Sequence, residues 1–431
     1  MKRRLLTGLA VLAALFAVAA GWVAWLNLRG ESAPAVAVTA PADARQQLAR
    51  GAYLARVGNC AGCHSERGGP AFAGGHAIAT PFGTVYAGNL TPDPEHGLGR
   101  WTADDFWRAL HNGRSRDGRL LYPAFPYPNY TQVTREDSDA LFAWLRSLPP
   151  VARPDTPHDL RWPFSTQWAL AVWRALYFTP AGAAPGPERG RSAEWQRGAY
   201  LVRGLGHCSA CHSNRNALGA TSDVLDLSGG LIPMQNWYAP SLASPQEAGV
   251  AGWEPAQVEK LLVTGVSPRG SVLGPMAEVV LESTQYLTPE DAHAMAVFLK
   301  DLPPPQGDAG AEAPPPRRAG AGTLERGERL YGQHCAQCHG DDGRGVPGAY
   351  PALAGNRAVL MASSANLVQV VLGGGFAPAT AGNPRPFGMP PFATALSDAD
   401  VAAVISYLRS AWGNRAGAVS ELDVAQQRGS P

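Results

Sequence analysis

The six cysteines of this chain fall in three identical frames, and that spacing limits the fold more than any other feature of its 431 residues. Cys60, Cys63 and His64 form CAGCH, Cys208, Cys211 and His212 form CSACH, and Cys335, Cys338 and His339 form CAQCH, with no cysteine left over. Six cysteines in an exported chain would ordinarily suggest three disulfides. Cys-x-x-Cys-His is instead the attachment signal of c-type haem, in which two thiols add across the porphyrin vinyl groups and the adjacent His offers its imidazole to the iron. A zinc knuckle or a redox CxxC can end in His by chance, but three copies that each consume their own cysteine pair do not fit that reading. The expected cofactor is therefore haem c, three per chain, with His64, His212 and His339 as iron ligands.

The repeat extends beyond the pentapeptides, which points to a tandem architecture. Arg, Gly and an aromatic precede each site: Arg50, Gly51 and Tyr53; Arg197, Gly198 and Tyr200; Arg326, Gly327 and Tyr331. A helical pattern follows each, at 139–148, 291–302 and 400–410, with an aromatic one residue before a leucine. Glycine on the entering helix opposite an aromatic on the closing helix lets the two cross closely, the pairing that closes a small cytochrome c fold. The first two repeats share a middle helix, 101–113 and 253–265, of equal length from Trp to Gly. Prolines break the chain at 149–163 and 180–187, around a Trp-rich stretch at 162–178 expected to pack across the first two repeats. Residues 302–322, with two proline triplets, read as a tether, which predicts an independently placed third repeat. The polar tail beyond Trp412 receives no role.

Lys2, Arg3 and Arg4 precede an uncharged run at 5–28, longer than the ~20 apolar residues a helix needs to span a bilayer. Trp22 and Trp25 near its far end resemble interfacial anchors, which favours a retained anchor over a cleaved signal, although 35–40 offers a small-residue cleavage site. Either way the basic end stays cytoplasmic and the rest is exported, to the periplasmic side of the inner membrane. Charged residues make up only 16%, and 36 Lys+Arg against 35 Asp+Glu leave a formal charge of +1, which argues against nucleic acid as a partner. No nucleotide loop or nucleophile constellation appears, so no catalytic residue is assigned.

Methionine opposite His is a frequent sixth ligand to haem iron and raises its potential. Met276 after Leu273-Gly-Pro, and Met389 before two prolines, are the candidates for the second and third sites. The first repeat has no methionine, and Phe125 stands where one is expected. His111 and His76 occupy positions that hold Val263 and Leu231 in the second repeat. His111, then His76, is a candidate sixth ligand, the alternatives being a structural His or an open iron. His96 is a weaker candidate.

The motifs GAYL at 51–54, TPFG at 80–83, NLTPD at 89–93, LYPAFPYP at 121–128, STQY at 283–286 and PALAGN at 351–356 give the chain a family resemblance. It resembles the three-haem cytochrome c subunits of bacterial membrane-bound alcohol, gluconate, sorbitol and aldehyde dehydrogenases. The resemblance runs from Gln47 to Asn414 and departs at Phe125, where the family has Met, and in the short tail. It implies a relay of electrons from a catalytic quinoprotein, flavoprotein or molybdenum dehydrogenase subunit to ubiquinone or another acceptor. The expected architecture is mostly α, three tandem class I cytochrome c domains after an N-terminal transmembrane helix. Residues 1–30 are the anchor or signal, 42–180, 188–304 and 323–415 the three domains, and 305–322 the linker. Two other functions stay open: a peroxidase-like haem enzyme at an open first site, and a free-standing donor to a terminal oxidase.

Overall fold

The computed structural model describes residues 2–29, 31, 43–182, 188–221, 226–250, 252–304 and 317–428. The 35–40 cleavage region and most of the 305–322 linker lie outside them. Helices dominate, and the chain divides into two compact units. Unit 1 comprises Met1–Ala55, Cys60–Gly186 and Asn216–Ala220; unit 2 comprises Arg56–Asn59, Pro187–Arg215 and Thr221–Pro431.

The same helix crossing is built three times. Entering helix Ala44–Val57 crosses closing helix Arg135–Arg146 in the first repeat. Ala193–Tyr200 crosses Pro289–Lys300 in the second, and Ala321–His334 crosses Asp398–Leu408 in the third. At each crossing the expected glycine lies against the partner backbone. A Cβ on Gly51 would come 2.0 Å from Ala140 O, one on Gly198 2.0 Å from Ala294 O, and one on Gly327 2.3 Å from Ala403 O. The aromatics that precede the closing leucines, Trp144, Phe298 and Tyr407, also lie against each added methyl, their Cβ atoms 2.7, 2.8 and 2.7 Å away.

An ion pair fixes the register of every crossing. Arg50 meets Asp137 at 2.5 Å, Arg197 grips both carboxylate oxygens of Asp291 at 2.7 Å, and Arg326 meets Asp400 at 2.7 Å. In each closing helix a Thr or Ser side chain caps the backbone N–H of that same aspartate: Thr134, Thr288 and Ser397. The aspartate thus stays near the positive helix N-terminus while it faces the arginine. In the first repeat the residue equivalent to Asp291 and Asp400 is therefore Asp137, and the sequence register that began the closing helix at Asp139 is corrected by two residues.

Unit 1 adds a small antiparallel sheet, β1 (Ala77–Thr80), β2 (Gly83–Tyr86) and β3 (Asp159–Leu160), with Ala77 opposite Tyr86 and Gly83 opposite Leu160. The middle helix Ala103–Asn112 starts in a Thr102/Asp105 capping box and stops at left-handed Gly113. The Trp-rich stretch forms the helix Gln167–Tyr177, which packs on the N-terminal helix Lys2–Leu28 through Asn27 and Ala171.

In unit 2 the third repeat is docked rather than independently placed. Asn366 reads the Tyr238 backbone twice, its Oδ1 accepting from Tyr238 N and its Nδ2 donating to Tyr238 O, both at 2.8 Å. Thr380 Oγ1 donates to Thr264 O at 3.3 Å, and Arg357 to Pro245 O at 3.1 Å. The tail also packs. Helix Glu421–Arg428 buries Val424 in the third core, and Arg428 pairs with Asp398 at 2.5 Å, so the third repeat continues past 415 to 428.

Candidate cofactor sites

Each CxxCH frame is wound into a short helical turn. Cys60–His64 is helical throughout, while Ser209–His212 and Ala336–His339 follow Cys208 and Cys335. Positions i, i+3 and i+4 share one helix face, so the winding puts both thiols and the imidazole on the same side. All six cysteines are free thiols. Burial first, then the neighbouring cysteine, pushes Cys60 and Cys208 up to about 12 and Cys335 to about 11, so these groups stay protonated.

The three histidines are held in one manner. His64 Nδ1 lies 2.8 Å from Gly88 O, His212 Nδ1 2.7 Å from Pro240 O, and His339 Nδ1 3.0 Å from Pro351 O. A carbonyl can only accept, so Nδ1 carries the proton and Nε2 keeps its lone pair for a metal. Burial pushes all three imidazole pKa values down, which keeps the rings neutral as iron ligation requires. The backbone behind each ring repeats as well. Gly74, Gly229 and Gly345, all at positive φ, donate their N–H to the carbonyl of His64, His212 and His339 at 2.8, 2.9 and 2.8 Å. Two thiols and a neutral, pre-oriented imidazole on one helical face fit a covalently attached haem at all three places.

These supporting groups escaped the sequence reading. A backbone carbonyl has no side-chain signature, although Gly88, Pro240 and Pro351 are each followed two positions later by a leucine, Leu90, Leu242 and Leu353. The internal alignment of His76 with Leu231 agrees with the backbone, since each follows its glycine by two residues.

Met276 is half-buried in the first turn of helix Pro275–Glu282. It follows Gly274, whose φ of 56° and contact with the Trp237 ring exclude a side chain there: a Cβ would fall 2.6 Å from the indole. Met389 is half-buried in the strand Gly388–Met389, paired with Gly375, and packs on the third core. Both sit before the closing helix of their repeat.

The first site is built differently. Phe125 stacks at 5.2 Å on Tyr130, a buried phenol raised well above its ordinary pKa by burial and by neighbouring Cys60 and Cys63. His111 is buried, its ring stacked on Trp107 at 4.2 Å, and its Nε2 lies 3.1 Å from Ala181 O. His76 belongs to the hairpin that holds His64: its carbonyl accepts from Ala87 N, one residue before Gly88. His96 sits in a turn where its N–H bonds Asp93 at 2.7 Å.

Comparison with known proteins agrees with these features. The cytochrome c family model matches residues 48–149 and 324–412. The cytochrome c subunit of a quinone alcohol dehydrogenase from Gluconacetobacter polyoxogenes is 40% identical, over 91% of this chain and 86% of its own. The gluconate 2-dehydrogenase cytochrome c subunit of Pantoea cypripedii is 37% identical over 88% and 89%. The fructose dehydrogenase cytochrome subunit of Gluconobacter japonicus is 33% identical over 90% and 84%.

Proposed function

Since the chain belongs to the family of cytochrome c subunits of alcohol, gluconate and fructose dehydrogenase complexes, we propose that it relays electrons from a partner dehydrogenase through three covalent c-type haems to ubiquinone or another respiratory acceptor. The partner is a separate catalytic subunit of quinoprotein, flavoprotein or molybdenum type, and the haem-bearing part lies on the periplasmic side of the inner membrane. Bound haem supplies a one-electron ferric/ferrous couple at each site. The chain's own residues attach and orient it: Cys60 with Cys63, Cys208 with Cys211, and Cys335 with Cys338 tether, while His64, His212 and His339 present Nε2. Met276 and Met389 complete the second and third sites. The repeats 42–180, 188–304 and 323–415, the last extended by its tail helix, are the three domains.

The observation that carries this reading is the threefold recurrence of one constellation, two free thiols and a His locked by Nδ1 to a carbonyl. Retention of the N-terminal helix is supported by its end being built into unit 1, where Asn27 is buried and Glu31 pairs with Arg114 at 2.6 Å. A signal peptide removed beyond that point would take Glu31 from Arg114 and Asn27 from Arg174. The test is mass spectrometry of the denatured full chain, expressed with a competent maturation system. Three haem additions on a chain beginning near Met1 are expected; two or fewer overturn the haem assignment, and a start between 32 and 42 overturns the anchor.

A second reading, a peroxidase-like site at the first iron, is favoured by two observations: His111 Nε2 is bonded to Ala181 O, and Phe125 stands where a methionine is expected. Peroxide turnover by the isolated chain that Phe125→Met abolishes would establish it.

A further inference from the structure

The helix Gln167–Tyr177 is inside out. Its solvent side carries Trp168, Val172 and Leu176, spaced four residues apart and 59%, 41% and 64% exposed, with Trp162 just ahead at 77%. Its inner side carries Leu170 and the guanidinium-bearing Arg174, only 3% exposed. A helix on a water-facing surface has the opposite distribution, and a contiguous exposed apolar face marks a surface that meets something other than water.

The inward arginine explains where the helix is tied. Arg174 Nε donates to Asn27 Oδ1 at 2.9 Å, a second nitrogen donates to Asn112 O, and the cation lies over the rings of Tyr127 and Phe178. Asn27 Nδ2 donates in turn to Ala171 O at 2.9 Å. Arg29 reaches Thr179 Oγ1 at 3.1 Å, and Arg114 bonds Asn27 O and Glu31. All of these groups lie at the last turn of the N-terminal apolar helix or just past it. Trp22 and Trp25, both exposed, sit there too, at the level where aromatic side chains mark the membrane–water boundary.

We propose that Gln167–Tyr177 is a second membrane element, lying in the plane of the bilayer with Trp162, Trp168, Val172 and Leu176 immersed between headgroups and acyl chains. This rests on the reading of Lys2–Leu28 as a retained anchor. A helix tied to the exit end of a spanning helix is held within about one helix diameter, ~10–12 Å, of the interface, the depth range of amphipathic interfacial helices. Charge agrees with that occupant. Residues 161–179 contain no Asp or Glu, and exposed Arg161 suits anionic headgroups.

The test uses the full haem-loaded chain in phosphatidylethanolamine–phosphatidylglycerol nanodiscs doped with a phospholipid bearing a diazirine near the headgroup. After illumination and proteolysis, lipid adducts are expected on peptides from 162–177 and from the N-terminal helix. The variant W168Q/V172Q/L176Q, altered only at exposed positions, should keep its haem spectrum and the N-terminal adducts while losing at least tenfold of the 162–177 signal. Adducts confined to the N-terminal helix overturn the proposal with the anchor intact. So does protection of 162–177 from labelling that appears only with the dehydrogenase, which would make the face a protein interface. Labelling of 162–177 on a chain that lacks residues 1–28 removes the anchor and leaves the in-plane contact standing. No adducts at either place remove both.

Discussion

At Phe125 one side chain is expected to decide the chemistry of the proposed first haem site. Phenylalanine has no atom that binds iron, and His111 is held in place with Nε2 bonded to Ala181 O and its ring stacked on Trp107. Releasing that ring would break a buried hydrogen bond, a loss of about 1–3 kcal/mol. The first haem is therefore expected to be high-spin and to bind carbon monoxide readily, unlike the two with methionine. Low-temperature electron paramagnetic resonance of the wild type checks this, together with His111→Ala, which should leave the first signal unchanged. A low-spin first haem that His111→Ala converts to high-spin would show instead that His111 leaves Ala181 for the iron. Phe125→Met should turn the site low-spin and raise its potential if the thioether reaches the metal. The sequence shows the missing methionine, because composition within a repeat is countable. It does not show that the His76 backbone joins the hairpin that holds His64 or that His111 Nε2 is engaged, since both facts depend on which backbone groups the fold brings near.

Helix pairs carry the clearest internal evidence that the three repeats are one design. Arg-Gly before each motif and aromatic-Leu after it are local patterns, and they marked the crossings correctly. The aspartate that locks each crossing was legible only in part: Asp137 and Asp139 both lie in the first turns of the first closing helix, and contact with Arg50 selects the former. Its position seven residues before the aromatic, shared by Asp137, Asp291 and Asp400, was the available signal. The crossings make a sharp prediction for glycine. Alanine gains up to about 1 kcal/mol over glycine within a helix. A methyl on Gly198, however, would sit 2.0 Å from Ala294 O, where backbone rather than a flexible side chain must move. Overpacking costs about 1–3 kcal/mol and occasionally more, so it should win. Gly198→Ala is expected to lower the thermal midpoint of unit 2, read by circular dichroism, whereas Gly332→Ala, on the next entering helix with open space around it, should not.

For the whole chain, the linker's composition said little about what it joins. Two proline triplets describe the tether alone, whereas docking of the third repeat depends on single polar residues such as Asn366, which no pattern distinguishes from an ordinary surface asparagine. Asn366→Ala should raise hydrogen exchange at the Tyr238 amide by an order of magnitude or more without touching either core; an unchanged rate would mean that the contact adds nothing to docking. The tail was unreadable for the opposite reason, since two of its few apolar residues, Val419 and Val424, become core only once the third repeat is assembled. The Asn27–Arg174 tie has a kinetic consequence. Domains on slack stalks sample every orientation, and most encounters with a partner confined to the same plane are then wasted on wrong faces. Two polar bridges at the end of the N-terminal helix would, with that helix as the proposed anchor, remove that swivel, so unit 1 would keep one attitude and one height above the lipid. Its collisions with neighbours that diffuse in the membrane would then become a search in position alone.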